Sequence, residues 1–197
     1  IERLLKGVHS GVIVVLDEAY NEYVQDPAFR SALSMRGLRE KLVVSRTFSK
    51  VYGLGGVRAG YAVGPAEMMT YLNRVREPFN CNTMAQVGAA AALGDEAFVR
   101  RSIEVNEASR ALLESGLREL EEFGVTWTPS QTNFLLVRTP HEGAAVYHRM
   151  LRQGVIVRPM AGYGIVDSVR ISMGTQQECR RCVDALRVAL EGLAEAS

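Results

Sequence analysis

The chain has 197 residues, 47% of them hydrophobic and 23% charged, with 23 Lys+Arg against 22 Asp+Glu and a formal net charge of +1. A chain of that length and apolarity buries roughly 70% of the surface it exposes when unfolded, which excludes disorder and low complexity as overall descriptions. The charge balance favours neither nucleic acid nor an anionic membrane as the main partner. No apolar stretch approaches the ~20 residues of a membrane span, and the first residues do not read as a signal peptide. Three cysteines are too few for a disulfide framework and point to a reducing cytoplasm. Ile1 stands only a few residues before a strong strand pattern, so the sequence reads as part of a longer protein.

In chain order, the unbroken aliphatic run at 12–16 predicts a strand buried on both faces of a parallel sheet. It ends in Asp17-Glu18-Ala19-Tyr20, at the edge where open α/β sheets hold ligands. A second strand is expected over 41–45, running into Arg46-Thr47-Phe48-Ser49-Lys50, and a third over 57–63 after Gly53, Gly55 and Gly56. Helices are expected over 66–75 behind Pro65, over 83–93 before Gly94, and over the long charged stretch 96–123, closed by Gly124. Strands at 125–128 and 133–137, a helix at 142–153, and strands at 155–157 and 169–172 follow. A closing helix begins at Thr175 with Glu178 as its capping box and Cys179, Val183, Leu186, Leu190 and Leu193 on one face. The pattern is α/β, with the end of a large parallel or mixed-sheet domain over 1–95, a spine helix over 96–124, and a small α/β domain over 125–197.

A lysine after a buried strand is most often a solvated residue. Lys50 has unusual company, with hydroxyls at Thr47 and Ser49, three glycines behind it, and Arg58 eight residues on. Hydroxyls, backbone amides and an arginine are what a phosphate group needs, leaving the lysine free as a nucleophilic amine. A Walker-type loop is excluded because Ser49, not Gly, precedes Lys50, and a dinucleotide fingerprint is excluded because Arg58 stands where its last glycine belongs. Asp17 alone reads as a cap or loop acid. A pyridoxal ring, however, needs a carboxylate against its nitrogen, and a phenol such as Tyr20 could serve its ring oxygen.

The strings 15–20, 46–50, 53–61 and 155–164, in this order, resemble the histidinol-phosphate aminotransferases, which are fold-type I pyridoxal-phosphate enzymes. The resemblance covers essentially the whole chain. It implies Lys50 as the Schiff-base lysine, Asp17 as partner of the pyridine nitrogen and Tyr20 as partner of the ring oxygen. By the same resemblance Thr47, Ser49 and Arg58 match the cofactor-phosphate positions, and Arg158 and Arg170 the substrate arginines. A planar guanidinium fork on a short strand suits phosphate or carboxylate, although a surface salt bridge is the plainer reading of each arginine. The implied reaction is L-histidinol phosphate + 2-oxoglutarate to imidazole acetol phosphate + L-glutamate, in histidine biosynthesis, by a cytoplasmic homodimer with small-molecule substrates. A related aromatic aminotransferase, a threonine-phosphate decarboxylase or a non-catalytic fragment are the alternatives. The resemblance also places the rest of the phosphate cup, a ring-stacking aromatic and a tyrosine from the dimer partner in an N-terminal half that this sequence does not contain.

Asn80 and Asn82 echo the same family, with loop shaping near the cofactor and a plain turn role equally open. Cys179 and Cys182 form C-x-x-C, but no second pair or nearby histidine completes a zinc site, so Cys179 reads as core and no metal is expected. His9, His141 and His148 show no metal spacing, and Trp127 reads as a packing residue beside a strand.

Overall fold

Strand pairing builds the first part of the chain. In the computed structural model, which describes residues 1–195, helix α1 (Glu2–Gly7) precedes β1 (Val14–Asp17), β2 (Leu42–Thr47) and β3 (Gly60–Val63). β1 and β2 pair in parallel with Asp17 opposite Ser45, and β3 runs antiparallel to β2 with Gly60 opposite Thr47. The carboxyl ends of β1 and β2 and the start of β3 therefore share one edge of the sheet. Helices α2 (Ala66–Val75) and α3 (Thr83–Leu93) follow at the bounds the sequence predicts. The backbone contacts divide the chain into two compact units, Ile1–Ser102 and Ile103–Ser197.

One face of the first sheet is packed. Leu42 and Val44, with the partly buried Val14 and Leu16, meet Leu5 of α1 and Ala32 and Met35 of a 3-10 helix at Ala32–Leu38. Arg39 is buried and clamps the chain entering β1, its guanidinium donating to the carbonyls of Leu5, Val8, His9 and Val12. The expectation that 12–16 is buried on both faces is not met: Ile13 is 57% exposed and Val15 61%. β1 has a single strand neighbour, and its side chains alternate between the packed face and a face left open at Ile13 and Val15, although Val43 on the adjoining β2 is buried there.

The second unit is an antiparallel sheet in the order β4-β5-β7-β6, formed by β4 (Thr126–Thr128), β5 (Phe134–Arg138), β6 (Arg158–Pro159) and β7 (Ser168–Ser172). Helices α4 (Glu96–Arg118), α5 (Gly143–Arg152) and α6 (Gln176–Ala194) complete it, α4 beginning in the first unit. Leu135, Val137, Val169 and Ile171 point to one face, where Leu113, Leu117, Val146, Met150, Leu186 and Leu190 cover them. Trp127 packs against the same core, and Cys179, Val183, Leu186 and Leu190 are buried on α6 as its spacing predicts. Gly116 lets α4 and α6 approach, since a Cβ there would stand 2.5 Å from a Val183 methyl.

The strand expected over 57–63 begins only at Gly60, because Gly55–Val57 form a 3-10 turn and Arg58 is left-handed at φ 61°. Two further boundaries differ from expectation. The helix expected over 96–123 stops at Arg118, and a separate 3-10 turn at Glu121–Phe123 leads to Gly124, whose φ of 76° ends it. The strand expected at 155–157 forms instead at Arg158–Pro159, because the Val155 N–H is held by the Met150 carbonyl closing α5. Ile156 is left 78% exposed. Among the described residues no helix is long and apolar enough to cross a membrane.

The capping box of α6 forms as predicted: the Thr175 N–H and hydroxyl donate to Glu178, whose own N–H donates to the Thr175 hydroxyl. The backbone hydrogen bond from Thr175, then its hydroxyl, holds the Glu178 carboxyl below the ordinary 4.5. A depressed folded-state value stabilises the fold above the unfolded value, and the contribution disappears as pH falls through the folded one. Denaturant titrations of Glu178→Gln and the parent should therefore differ at neutral pH and converge in acid, once the pH has fallen through the depressed folded-state value.

Candidate active site

Period-two alternation sorts the residues at the carboxyl edge of β1 and β2. Asp17 and Ser45 point to the more open face, while Glu18 and Arg46, one step further on each strand, turn to the packed one. Asp17 Oδ1 accepts from the Ala19 N–H at 3.1 Å and from the Ser45 hydroxyl at 3.2 Å. Oδ2 has no hydrogen-bond partner among the described residues. The carboxylate is thus oriented by one oxygen and presents the other.

Beyond β2 the chain turns tightly. Phe48 is buried, and its N–H and carbonyl are taken by the Ala59 carbonyl and the Leu54 N–H. Gly53, at φ 70°, donates to the Lys50 carbonyl at 2.9 Å and closes the turn in a backbone region that favours glycine. Lys50 is half-buried, its Nζ 5.2 Å from the centroid of the Tyr20 ring, with no ion pair or hydrogen bond among the described residues. Tyr20 also lies against the tilted ring of Tyr23 at 6.4 Å. Burial, then the neighbouring Tyr20 and Glu22, raise the Tyr23 phenol above its ordinary pKa.

Arg58 takes the left-handed conformation at φ 61°, which costs a non-glycine residue roughly 1–2 kcal/mol. Its Nη1 donates to the Gly55 carbonyl at 2.7 Å and to the Ser49 hydroxyl at 3.4 Å. Ser49 and Arg58 therefore form one small donor group beside Lys50. The Thr47 hydroxyl is committed inward instead, accepting from the Ser49 N–H at 3.0 Å and donating to the Ala59 carbonyl at 3.4 Å. Asp17, Tyr20, Thr47, Ser49, Lys50 and Arg58 all belong to the first unit and to one end of its sheet.

In the second unit Arg158 and Arg170 are direct partners across β6 and β7, so both side chains leave the same face, opposite the core. Arg170 stacks over Phe134 at 5.0 Å and Arg158 over Tyr163 at 5.5 Å. No ion pair among the described residues includes either arginine, and Arg170 Nε is buried without a partner. Like charges directly opposite are unfavourable, and an anion between the two arginines would relieve that repulsion.

Residues 1–186 match the family described as aminotransferase class I and II. The chain belongs to that family. It is 45% identical over 194 residues to a histidinol-phosphate aminotransferase of Cupriavidus pinatubonensis, covering 97% of this chain and 51% of that protein. A histidinol-phosphate aminotransferase of Anaeromyxobacter is 45% identical over 183 residues, covering 92% and 50%. The crystal structure of the histidinol-phosphate aminotransferase of Sinorhizobium meliloti in complex with pyridoxal-5'-phosphate superposes with a TM-score of 0.84 at 26% identity, covering 98% of this chain and 53% of that one. The chain spans about half the length of the curated relatives it matches. The mixed α/β fold is that of the fold-type I aminotransferases.

The remaining sequence candidates take structural places. Asn82 caps α3 by accepting from the Ala85 N–H, and Asn80 accepts from Arg76. Among the described residues no group of histidine, cysteine and acidic side chains could hold a metal. Sequence reasoning missed Glu18, Arg46, Ser31 and Arg39, whose roles depend on partners up to 34 residues away. Burial, then the neighbouring Cys179, pushes the Cys182 thiol up to about 12. At pH 8 a disulfide-exchange reagent should titrate Cys81 alone in the native protein and all three cysteines of the chain after denaturation, since thiolate and access govern the rate.

Proposed function

We propose that this chain carries the catalytic lysine of a pyridoxal-phosphate-dependent histidinol-phosphate aminotransferase, which exchanges an amino group between L-histidinol phosphate and 2-oxoglutarate. The observation behind this reading is the pairing, at one sheet edge, of an amine and a carboxylate oxygen that have no hydrogen-bond or ion-pair partner among the described residues, Lys50 Nζ, which lies over the Tyr20 ring, and Asp17 Oδ2. The donor set suits the cofactor at each point. Lys50 would hold its aldehyde carbon, Asp17 would sit against the ring nitrogen, and the Tyr20 phenol would serve the ring oxygen. Ser49 and Arg58 would take the phosphate through their side chains, with the Thr47 hydroxyl holding the Ser49 N–H and so fixing the turn.

Bound pyridoxal phosphate supplies a ring that accepts the electron pair left when the substrate carbon loses its proton. Asp17 keeps the ring nitrogen protonated, and so charged, through an electrostatic contact that is strong where water is excluded. With the cofactor bound, the Lys50 amine would be the group placed to take up and return the proton of the substrate carbon. Arg158 and Arg170 bind the phosphate of histidinol phosphate or the carboxylate of glutamate, each fork steadied by an aromatic ring. The relatives contain about as much chain again, and the reading assigns to it the rest of the phosphate cup, a ring-stacking aromatic and a tyrosine from the second subunit of a cytoplasmic homodimer.

Two substitutions in the intact protein test the assignment. Lys50→Ala should abolish transamination, and borohydride should no longer fix the cofactor to the chain, while circular dichroism stays that of the parent; normal turnover would refute the role. Arg170→Lys keeps the charge but loses the fork, so KM should rise about tenfold for both histidinol phosphate and glutamate. A change confined to one of them refutes a shared anion site, and turnover of phenylalanine or threonine phosphate in their place refutes the substrate.

A further inference from the structure

The most constrained polar cluster in the molecule lies on the packed side of the same sheet edge. Glu18 has a side chain only 5% exposed, and Arg46 one 15% exposed. Arg46 Nη2 and Nε donate to Glu18 Oε2 at 2.8 and 3.1 Å. The Ser31 hydroxyl donates to that oxygen at 2.8 Å and accepts from Arg46 Nη2 at 2.9 Å. Glu18 Oε1 accepts from the Ala32 N–H at 2.6 Å, at the head of the 3-10 helix. Arg46 Nη1 reaches Glu22 at 3.7 Å. One carboxylate thus ties together the end of β1, the end of β2 and the segment between them.

Backbone continuity transmits that anchorage to the other face. Glu18 is one residue past Asp17, a rise of about 3.3 Å, and its N–H donates to the Ser45 carbonyl at 2.9 Å. The Ser45 hydroxyl donates to Asp17. Arg46 is likewise one residue before Thr47, where the turn carrying Ser49 and Lys50 begins. Side chains on the two faces are therefore fixed by the same two pairs of consecutive backbone positions, 17–18 on β1 and 45–46 on β2.

We propose that Glu18 and Arg46 are a positioning pair that sets the separation of Asp17 from the Lys50 turn, and so tunes how tightly pyridoxal phosphate is held. This rests on the function proposed above. Neither residue touches the cofactor, so each acts through Asp17 and the turn. A partner that merely stabilised the fold would lower the melting temperature and leave the folded protein's cofactor affinity as it was.

The test uses the intact protein as apo-enzyme, titrated with pyridoxal phosphate by absorbance, with the melting temperature measured alongside. Glu18→Gln, which keeps the shape and loses the charge, should weaken cofactor binding roughly tenfold. It should lower kcat roughly 10²-fold, as misplacement of a catalytic group by about 1 Å does, and shift the pH midpoint of the bound cofactor's absorption band. Arg46→Lys should do the same, and the double variant should be no worse than the worse single one, because the two act as a unit. A folded Glu18→Gln with unchanged affinity, kcat and absorption overturns the positioning pair. If Glu18→Gln does not fold, Ser31→Ala decides: about threefold weaker binding at a retained melting temperature supports the pair, and unchanged binding overturns it. Failure of the parent protein to take up pyridoxal phosphate would instead overturn the function, and the pair with it.

Discussion

Alternation of side chains along two parallel strands governs the site. At Asp17-Glu18 and Ser45-Arg46 each strand places one residue toward the more open face and the next into the packed one, so a single edge carries both the candidate groups and a buried ion pair. Magnitudes separate this pair from the other ion pairs. The Lys6–Glu2 and Arg100–Glu96 pairs are exposed i,i+4 contacts, screened by water and contributing little. Removing one partner of a buried pair leaves an uncompensated charge and costs about 3–5 kcal/mol. In the Glu18–Arg46 pair burial disfavours the Arg46 charge, but the hydrogen bond and charge of Glu18 outweigh it and raise the arginine's pKa.

Unfavourable local features recur where binding is proposed. Arg58 is held in the left-handed region by the Gly55 carbonyl and Ser49, and backbone strain of this kind persists only when surroundings over-determine it. Arg158 and Arg170 stand opposite each other across a sheet, and no ion pair among the described residues includes either. Their aromatic supports offset part of that repulsion, and a bound anion would remove the rest. Both places trade stability for a preformed donor set.

The two units differ in how completely they bury their apolar groups. In the second, one sheet face and three helices enclose a continuous core. The first leaves Ile13 and Val15 uncovered on the face that carries Asp17, and Phe79 is 99% exposed. An uncovered aliphatic sheet face beside the candidate catalytic groups is in keeping with a chain that spans about half the length of its relatives.

Helices α2, α3 and α6 were fully legible, because proline, glycine and the Thr175–Glu178 capping box are local signals. The candidate residues were legible too, since four motifs in order define the family without reference to distance. The sequence could not place the strand at Arg158–Pro159, where a competing helix-closing bond to Val155 decided the boundary. Nor could it tell that the run at 12–16 is packed on one face only, because burial depends on what the fold lays against a strand. Glu18 and Arg46 were invisible for a related reason: an acid and an arginine 28 residues apart become a buried pair only when β1 and β2 align in parallel. Local chemistry was written in the chain, whereas the partners of buried charges were set by strand register, which is a property of the tertiary fold.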